Sequence, residues 1–442
     1  MSVGERVSDP VGLSEVVSIT RDLIRIDTSN YGGGRAVGES RAADLVERLL
    51  GEVGIVCERF EAEPGRTNLV ARWPGRDRTL PGLLLHGHLD VVPVDAAAWT
   101  VDPFGGEIAD GMLWGRGAVD MKNMVAMIVA SVRRMVTAGE RPERDVVLAF
   151  FADEEAGCVL GSQWMVEHHP EQFAGVRDAI SEGGGYSVTL GERADTRAYL
   201  LNTGEKGVLW LRLTAHGAAG HASLASQDSA IVKLAAAVGR IGALDWPVSF
   251  TETTTHLFQR LRELTGASSE LSPFELAALV GPSASRLRAG LQNVANVTMI
   301  SGGYKENVIP ESATATVDAR FLPGQRDEVI ARIREAAGEG VDVEVQLELI
   351  AMESPNDGEL VSVIEAVIER HDPGATVLPH LIPGGTDAKA LSRLGITGYG
   401  FIPLRLPADF DFPGMFHGVD ERVPLDALDF GCAVLTDIIR SA

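Results

Sequence analysis

Apolar residues recur at helical spacing from about Leu13 to Ile26 and again from Ser40 to Val53. Short apolar runs follow at Thr67–Trp73, Gly82–Val92 and Asp145–Ala152, with a helix pattern between Asp120 and Val136. Strands alternating with helices predict an α/β domain whose mostly parallel sheet is covered by helices on both faces. Functional residues of such sheets collect on loops beyond the carboxyl ends of the strands. Near Asn202 the pattern changes. GVLWLRLTA alternates like a strand, and HGAAGHAS leads into the helical SAIVKLAAAVGRI. Strands at NVTMISGG, ATATVDARFL and VDVEVQLELI flank an amphipathic helix from about Asp327 to Ala337. Between Trp246 and Gln292, Leu257, Phe258, Leu261 and Leu264 stand at helical spacing, which reads as extra helices with a packing or lid role. From Glu359 the alternation of helix and strand resumes. The expected organisation is one domain in two parts, 1–203 and 351–442, interrupted by a smaller α+β module at 204–350.

Length and composition agree with a folded two-domain chain. The 442 residues exceed one ordinary core, and 45% hydrophobic with 23% charged residues is a globular balance. A net charge of −23 argues against a nucleic-acid partner, because phosphates would be repelled. Cys57, Cys158 and Cys432 are far apart with no CxxC pair, so a disulfide scaffold is not expected and a reducing cytoplasm fits. The opening MSVGERVSDP has no apolar run, so no signal peptide is expected. MVAMIVASV is stopped by Arg133 and Arg134, and VVLAFFA by Asp153, short of the roughly 20 apolar residues of a membrane helix.

Five motifs change the picture from a soluble protein to a candidate enzyme. In LLLHGHLDVVP, His88 could bind a metal while Asp90 accepts the hydrogen of its other ring nitrogen; the bland alternative is two polar residues at a strand end. In LWGRGAVDMK, Gly115 and Gly117 permit a tight turn and Asp120 begins a helix, as a cap or as a ligand shared by two cations. In FFADEEAG a buried strand delivers three acidic residues to the sheet edge, where like charges call for a cation, a proton or solvation. One glutamate there can bind metal while its neighbour takes a proton from water. In AISEGGGY three glycines after Glu182 let the backbone approach a ligand closely. In GMFHGVDERVP, His417 sits in a loop near the carboxyl terminus. Two histidines, three carboxylates and a spare glutamate suit borderline ions: two Zn²⁺, with Co²⁺ or Mn²⁺ as alternatives. Two such ions side by side serve amide hydrolysis.

The order and spacing of these motifs resemble, over nearly the full length, the co-catalytic di-zinc metallopeptidase family. It includes acetylornithine deacetylase, succinyl-diaminopimelate desuccinylase, aminoacylase, carboxypeptidase S and glutamate carboxypeptidase. The resemblance implies that His88 and Glu182 hold one metal and Glu155 and His417 the other. It makes Asp120 the bridge, Asp90 the residue that orients His88, and Glu154 the general base. It implies that the inserted module is a lid, commonly also a dimerisation domain, whose His221 stabilises the oxyanion, often in the partner's site. Arg320 would bind the substrate carboxylate, its fork of donors suiting that group. Gly385 and Thr386, in PGGTDAKAL, would hold the same carboxylate, with Asp387 bracing the loop; Asn307 reads as structural. A homodimer is the implied partner, with Gly207–Ala215 as an edge strand free to pair.

The activity so implied is hydrolysis of an amide next to a free amino-acid carboxylate, on dipeptides or carboxyl-terminal residues or, alternatively, on N-acyl amino acids. The run GYGFIPLRLPADFDFPGMFHGVDERVP resembles the carboxypeptidase S and N-acyl-amino-acid hydrolase branch, which favours apolar acyl groups or dipeptides. A non-catalytic homologue would show a lost ligand or base, and none is lost. A hard Mg²⁺ or Ca²⁺ site is disfavoured by the two histidines.

Overall fold

The computed structural model describes residues 13–191 and 196–442, so the opening MSVGERVSDP lies outside the described residues. A ten-stranded sheet forms from β1 (Cys57–Glu61), β2 (Thr67–Trp73), β3 (Gly82–His88), β4 (Val146–Phe151), β5 (Val176–Ser181), β6 (Ser187–Thr189) and β7 (Arg197–Glu205), completed later in the chain. A four-stranded sheet follows, from β8 (Gly207–His216), β9 (Val294–Gly302), β10 (Ser312–Phe321) and β11 (Val341–Leu349). The chain then returns to the large sheet with β12 (Met352–Glu353), β13 (Thr376–Ile382) and β14 (Thr397–Gly400). The large sheet runs β6-β7-β14-β5-β3-β4-β2-β1, with β12 and β13 also on β7. Its inner strands β14, β5, β3 and β4 are parallel, and the flanking β2 and β1 are antiparallel.

Strands β3 and β4 are buried at every position, which explains their unbroken apolar runs. Leu83, Leu85, Leu148 and Phe150 enter one core with α1 (Glu15–Ile24), α2 (Ser40–Gly51), α3 (Lys122–Thr137) and the last helix, Leu425–Ser441. Leu84, Val147, Ala149 and Phe151 enter a second core with Leu391 and with Met165 of α4 (Ser162–His168) on the opposite face.

The small sheet buries one face only. Leu209, Leu211 and Leu213 point at Leu234 and Ile241 of α5 (Ala230–Gly242) and at Val329 and Ile333 of α9 (Arg326–Ala337). Its order is β9-β10-β8-β11, so Gly207–Ala215 is paired on both sides and is not the expected edge; the edges are β9 and β11. The helices between Trp246 and Gln292 are α6 (Glu252–Thr265), α7 (Pro273–Ala277) and α8 (Ala284–Ala289). Leu257, Leu261, Leu276, Leu287 and Leu291 belong to the core of the large sheet rather than to that of the small one. Among the described residues no helix is long and apolar enough to cross a membrane.

Candidate metal centre and cleft

The parallel strands deliver the acidic and histidine residues to one edge. His88 is the last residue of β3, Glu154 and Glu155 follow β4, and Glu182 follows β5. Asp120 precedes α3 without capping it, since no side chain caps that helix; a cap is therefore not its role. Asp120 instead faces two histidines, with Oδ1 3.1 Å from His88 Nε2 and Oδ2 3.3 Å from His417 Nε2. Glu182 Oε2 lies 3.7 Å from His88 Nε2, and Glu155 Oε2 lies 3.1 Å from His417 Nε2. Ligand atoms of His88, Asp120 and Glu155, and separately of His88, Glu154 and Glu182, fall within 4.8 Å of one another. One carboxylate between two histidines, each with its own glutamate, is the donor set of a bridged pair of ions. The buried Glu155 Oε1 has no hydrogen-bond partner, which fits a ligand position.

The buried charges of the cluster act strongly on one another. Burial and the neighbouring Glu182 push the Glu154 carboxyl well above its usual range. Burial pushes Glu182 up to about 8, opposed by His88. Burial would discharge His88, yet Glu182, Asp120 and Asp90 hold its proton well above the ordinary histidine range. Hydrogen bonds to Asp120 and Glu155 raise His417 to about 10. Glutamates raised in this way, around an aspartate that two histidines hold ionised, form a donor set that cations can satisfy.

Several expected contacts take a different form. His88 Nδ1 meets the backbone carbonyl of Asp90 at 2.9 Å, while the Asp90 carboxylate is 3.6 Å away. That carboxylate instead accepts from the amides of Glu154 and Glu155, at 3.1 and 3.3 Å, and so positions the glutamates as well. The glycines after Glu182 divide: Gly183 lines the cavity at the metal centre, whereas Gly185 serves the sheet, since a Cβ there would sit 2.1 Å from Ile402 N. Both Thr386 donors are taken, its N–H and hydroxyl bonding the Glu205 carboxylate at 3.0 and 2.7 Å. The Arg320 guanidinium is bonded twice to Asp318, at 2.6 and 2.8 Å. His221 is exposed, bonds Ser223 Oγ at 2.8 Å and lines neither cavity at the metal centre. The backbone carbonyl of Asn307 accepts from Ala222 N at 3.1 Å, a contact that does not use its side chain.

Some supporting residues escaped the motif reading. Asn30 Nδ2 donates to both Asp90 and Asp153 at 2.9 Å, and Arg66 ties Asp153 to the buried Glu39. Asp153 is thus a scaffold acid, unlike its neighbours Glu154 and Glu155. Arg116 bonds Glu421 Oε2 at 2.6 Å and the Gly418 carbonyl at 3.0 Å, while Glu421 Oε1 accepts from Val119 N at 2.7 Å and Asp120 N at 3.2 Å. This pair joins the loops of Asp120 and His417. A charged residue inside an otherwise glycine-rich turn, as Arg116 is, was the available signal.

Two cavities meet at the centre. One of about 590 Å³ lies between the sheets, lined by Val208, Trp210, Leu347, Leu349 and Ile350 together with Glu154 and His417. Strand register explains the wall: Val208 stands opposite Arg320 and Leu349, and Trp210 opposite Asp318 and Leu347. The other, of about 360 Å³, holds Asp120, Glu155, Glu182, Arg286 and Phe416.

The model of Peptidase family M20/M25/M40 matches residues 84–441. Aminoacylase-1 of Sus scrofa is 30% identical over 437 residues, covering 96% of this chain and 94% of that protein. Succinyl-diaminopimelate desuccinylase of Cereibacter sphaeroides is 31% identical over 446 residues, covering 96% and 98%. In fold, the chain is similar to the M20 family metallo-carboxypeptidase Sso-CP2 of Sulfolobus solfataricus, with TM-score 0.73, 16% identity and coverage of 97% and 99%.

Proposed function

The chain belongs to Peptidase family M20/M25/M40, a metal-dependent amide hydrolase by its relatives, and on that premise we propose that it cleaves N-acyl amino acids with bulky apolar acyl groups. The observation that carries this choice is the cavity under Trp210, which Arg320, Lys389 and Arg393 also line but which is apolar along Val208, Leu347, Leu349 and Ile350 and opens onto Glu154. A free dipeptide would place an ammonium group beside the scissile bond. Glu348, the carboxylate of that cavity away from the metal centre, is already bonded to Arg326 at 2.5 and 2.7 Å. An acyl chain needs no such partner.

His88, Glu182 and Asp120 would hold one ion, and Asp120, Glu155 and His417 the other; we take both as Zn²⁺, with Co²⁺ or Mn²⁺ able to substitute. When bound, the ions polarise the amide carbonyl and acidify the attacking water. Glu154, half-buried at the mouth of both cavities and free of a hydrogen bond to either histidine, takes one proton from that water as its oxygen bonds the carbonyl carbon. The same carboxyl returns the proton to the nitrogen as the C–N bond breaks. Arg320 faces the cleft with Asp318 as its present partner, so a substrate carboxylate there must exchange with Asp318.

His221 reaches a site, on this reading, only in a second copy of the chain. Edge strand β9 exposes Met299 and Ile300, and α5 exposes Ile231 and Val232, an apolar margin suited to pairing lids in a homodimer. The three cysteines are free, and we assign the protein to the cytoplasm. The test is hydrolysis of N-acetyl, N-succinyl and N-octanoyl amino acids beside dipeptides, with zinc, cobalt or manganese. Preference for the octanoyl substrate, abolished by chelator, is expected; preference for dipeptides overturns the acyl reading.

A further inference from the structure

Arg286 is a cation at the metal centre with no carboxylate of its own. It projects from α8 into the 360 Å³ cavity that also holds Asp120, Glu155 and Glu182. Its guanidinium lies 4.1 Å from the centroid of the Phe416 ring, beside the ligand His417. Among the described residues no hydrogen bond or ion pair occupies its donors. Arg320, by contrast, spends two donors on Asp318.

The unpaired donors give Arg286 a purpose. Asp120, Glu155 and Glu182 would be taken up as ligands of the ions, which leaves the guanidinium facing a partly enclosed cavity. A carboxylate brought by a ligand is the group whose planar fork matches it. The two arginines also stand on different foundations. Leu287 and Leu291 anchor α8 in the core of the large sheet, and Gly290 packs so tightly on β13 that a Cβ there would lie 3.0 Å from Leu381 O. Arg286 therefore keeps its place relative to the ions whatever the small sheet does, whereas Arg320 rides on the small sheet.

We propose that Arg286 binds the free α-carboxylate of the substrate, on the Phe416 side of the metal centre, leaving the cavity under Trp210 to the acyl group. This rests on the N-acyl amino acid reading and adds the residue that selects for the acid. The reach across the centre makes α8 a specificity element, although it lies inside the segment that interrupts the large sheet.

The test uses the full-length, metal-loaded protein and its Arg286→Ala, Arg286→Lys and Arg320→Ala variants. Substrates are N-octanoyl-leucine and the same amide without the carboxylate, N-octanoyl-isopentylamine. The expected result is that the ratio of kcat/KM for acid over amine falls about tenfold or more in Arg286→Ala, chiefly through KM, and partly recovers in Arg286→Lys. Calorimetric binding of N-octanoyl-leucine to the Glu154→Ala protein, with and without Arg286→Ala, should weaken in parallel. A ratio that stands in Arg286→Ala and falls in Arg320→Ala overturns the proposal. If the parent protein with two bound ions hydrolyses neither substrate, the functional reading fails, and the calorimetric comparison alone then decides whether Arg286 holds the carboxylate.

Discussion

Strands β3 and β4 of the large sheet bury both faces and end in His88 and in Glu154–Glu155, whereas β8 and β10 of the small sheet bury one face and turn the other to the cleft. In the first case the side chains that do chemistry emerge only where a strand stops, and each is gripped from behind. Asp90 takes the amides of both glutamates, Asn30 holds Asp90, and the Arg116–Glu421 pair holds the Asp120 loop. In the second case every alternate residue of a strand faces the cleft, so Val208, Trp210 and Arg320 can change without disturbing the inward Leu209 and Leu211. On the proposed reading, the large sheet fixes what reaction runs, and the small sheet with α8 selects what it runs on.

Removing the proton carrier gives the sharpest break between these roles. Glu154→Ala should lower kcat by about 10²–10⁴-fold or more, the usual contribution of a general base, while two ions per chain remain by elemental analysis. Retained turnover would move the base elsewhere and take the large sheet's claim to the chemistry with it.

The ions themselves supply the next largest effect. In the ion-free protein His417 holds a proton up to about pH 10, because Asp120 and Glu155 stabilise its charged form. A metal ligand must be the neutral imidazole, so binding at that position expels a proton throughout the neutral range. The sign follows: affinity falls as pH falls, by about tenfold per unit for this one proton, hence about a hundredfold between pH 8 and pH 6. Titration of chelator-stripped protein at several pH values would read this directly. A flat profile would mean that His417, whose side chain is 56% exposed, swings away from its carboxylates before the ion arrives.

The large sheet was legible in the sequence because its apolar runs end in charged residues, and a charge after a fully buried strand has few structural uses. His88, Asp120, Glu154, Glu155, Glu182 and His417 converge as their motifs imply. What stayed hidden depends on pairings that one strand cannot report. The alternation in GVLWLRLTA shows a one-faced strand, but only its two neighbours, β10 and β11, make it central instead of an edge. The glycine run at 183–185 reads equally as room for a ligand or for a strand; Gly183 lines the cavity, and the backbone at Ile402 explains Gly185. Leu257, Phe258 and Leu261 have helical spacing whichever core receives them. Arg286 gave no motif signal at all, since its meaning comes from Phe416, 130 residues further on in sequence.

Trp210→Ala sharpens the small-sheet half of the comparison and should have the smallest effect. The indole is 46% exposed, its Nε1 donates to Asp318 at 3.2 Å, and its face walls the apolar cavity. An acyl chain lying on it covers apolar area at about 25 cal/mol per Å², so loss of the ring should raise KM for an N-octanoyl amino acid about tenfold. An N-acetyl amino acid is too short to reach the ring, and its KM should change about twofold at most. The chain-length dependence is the informative part, because Trp210 has a second route to the cleft. Asp318 also holds Arg320, so removing the indole hydrogen bond could alter that arginine instead. An effect through Arg320 would be the same for acetyl and octanoyl substrates, since both bring the same carboxylate. A KM rise that grows with chain length assigns the cavity to the acyl group, and an equal rise for both returns Arg320 to the role of carboxylate anchor.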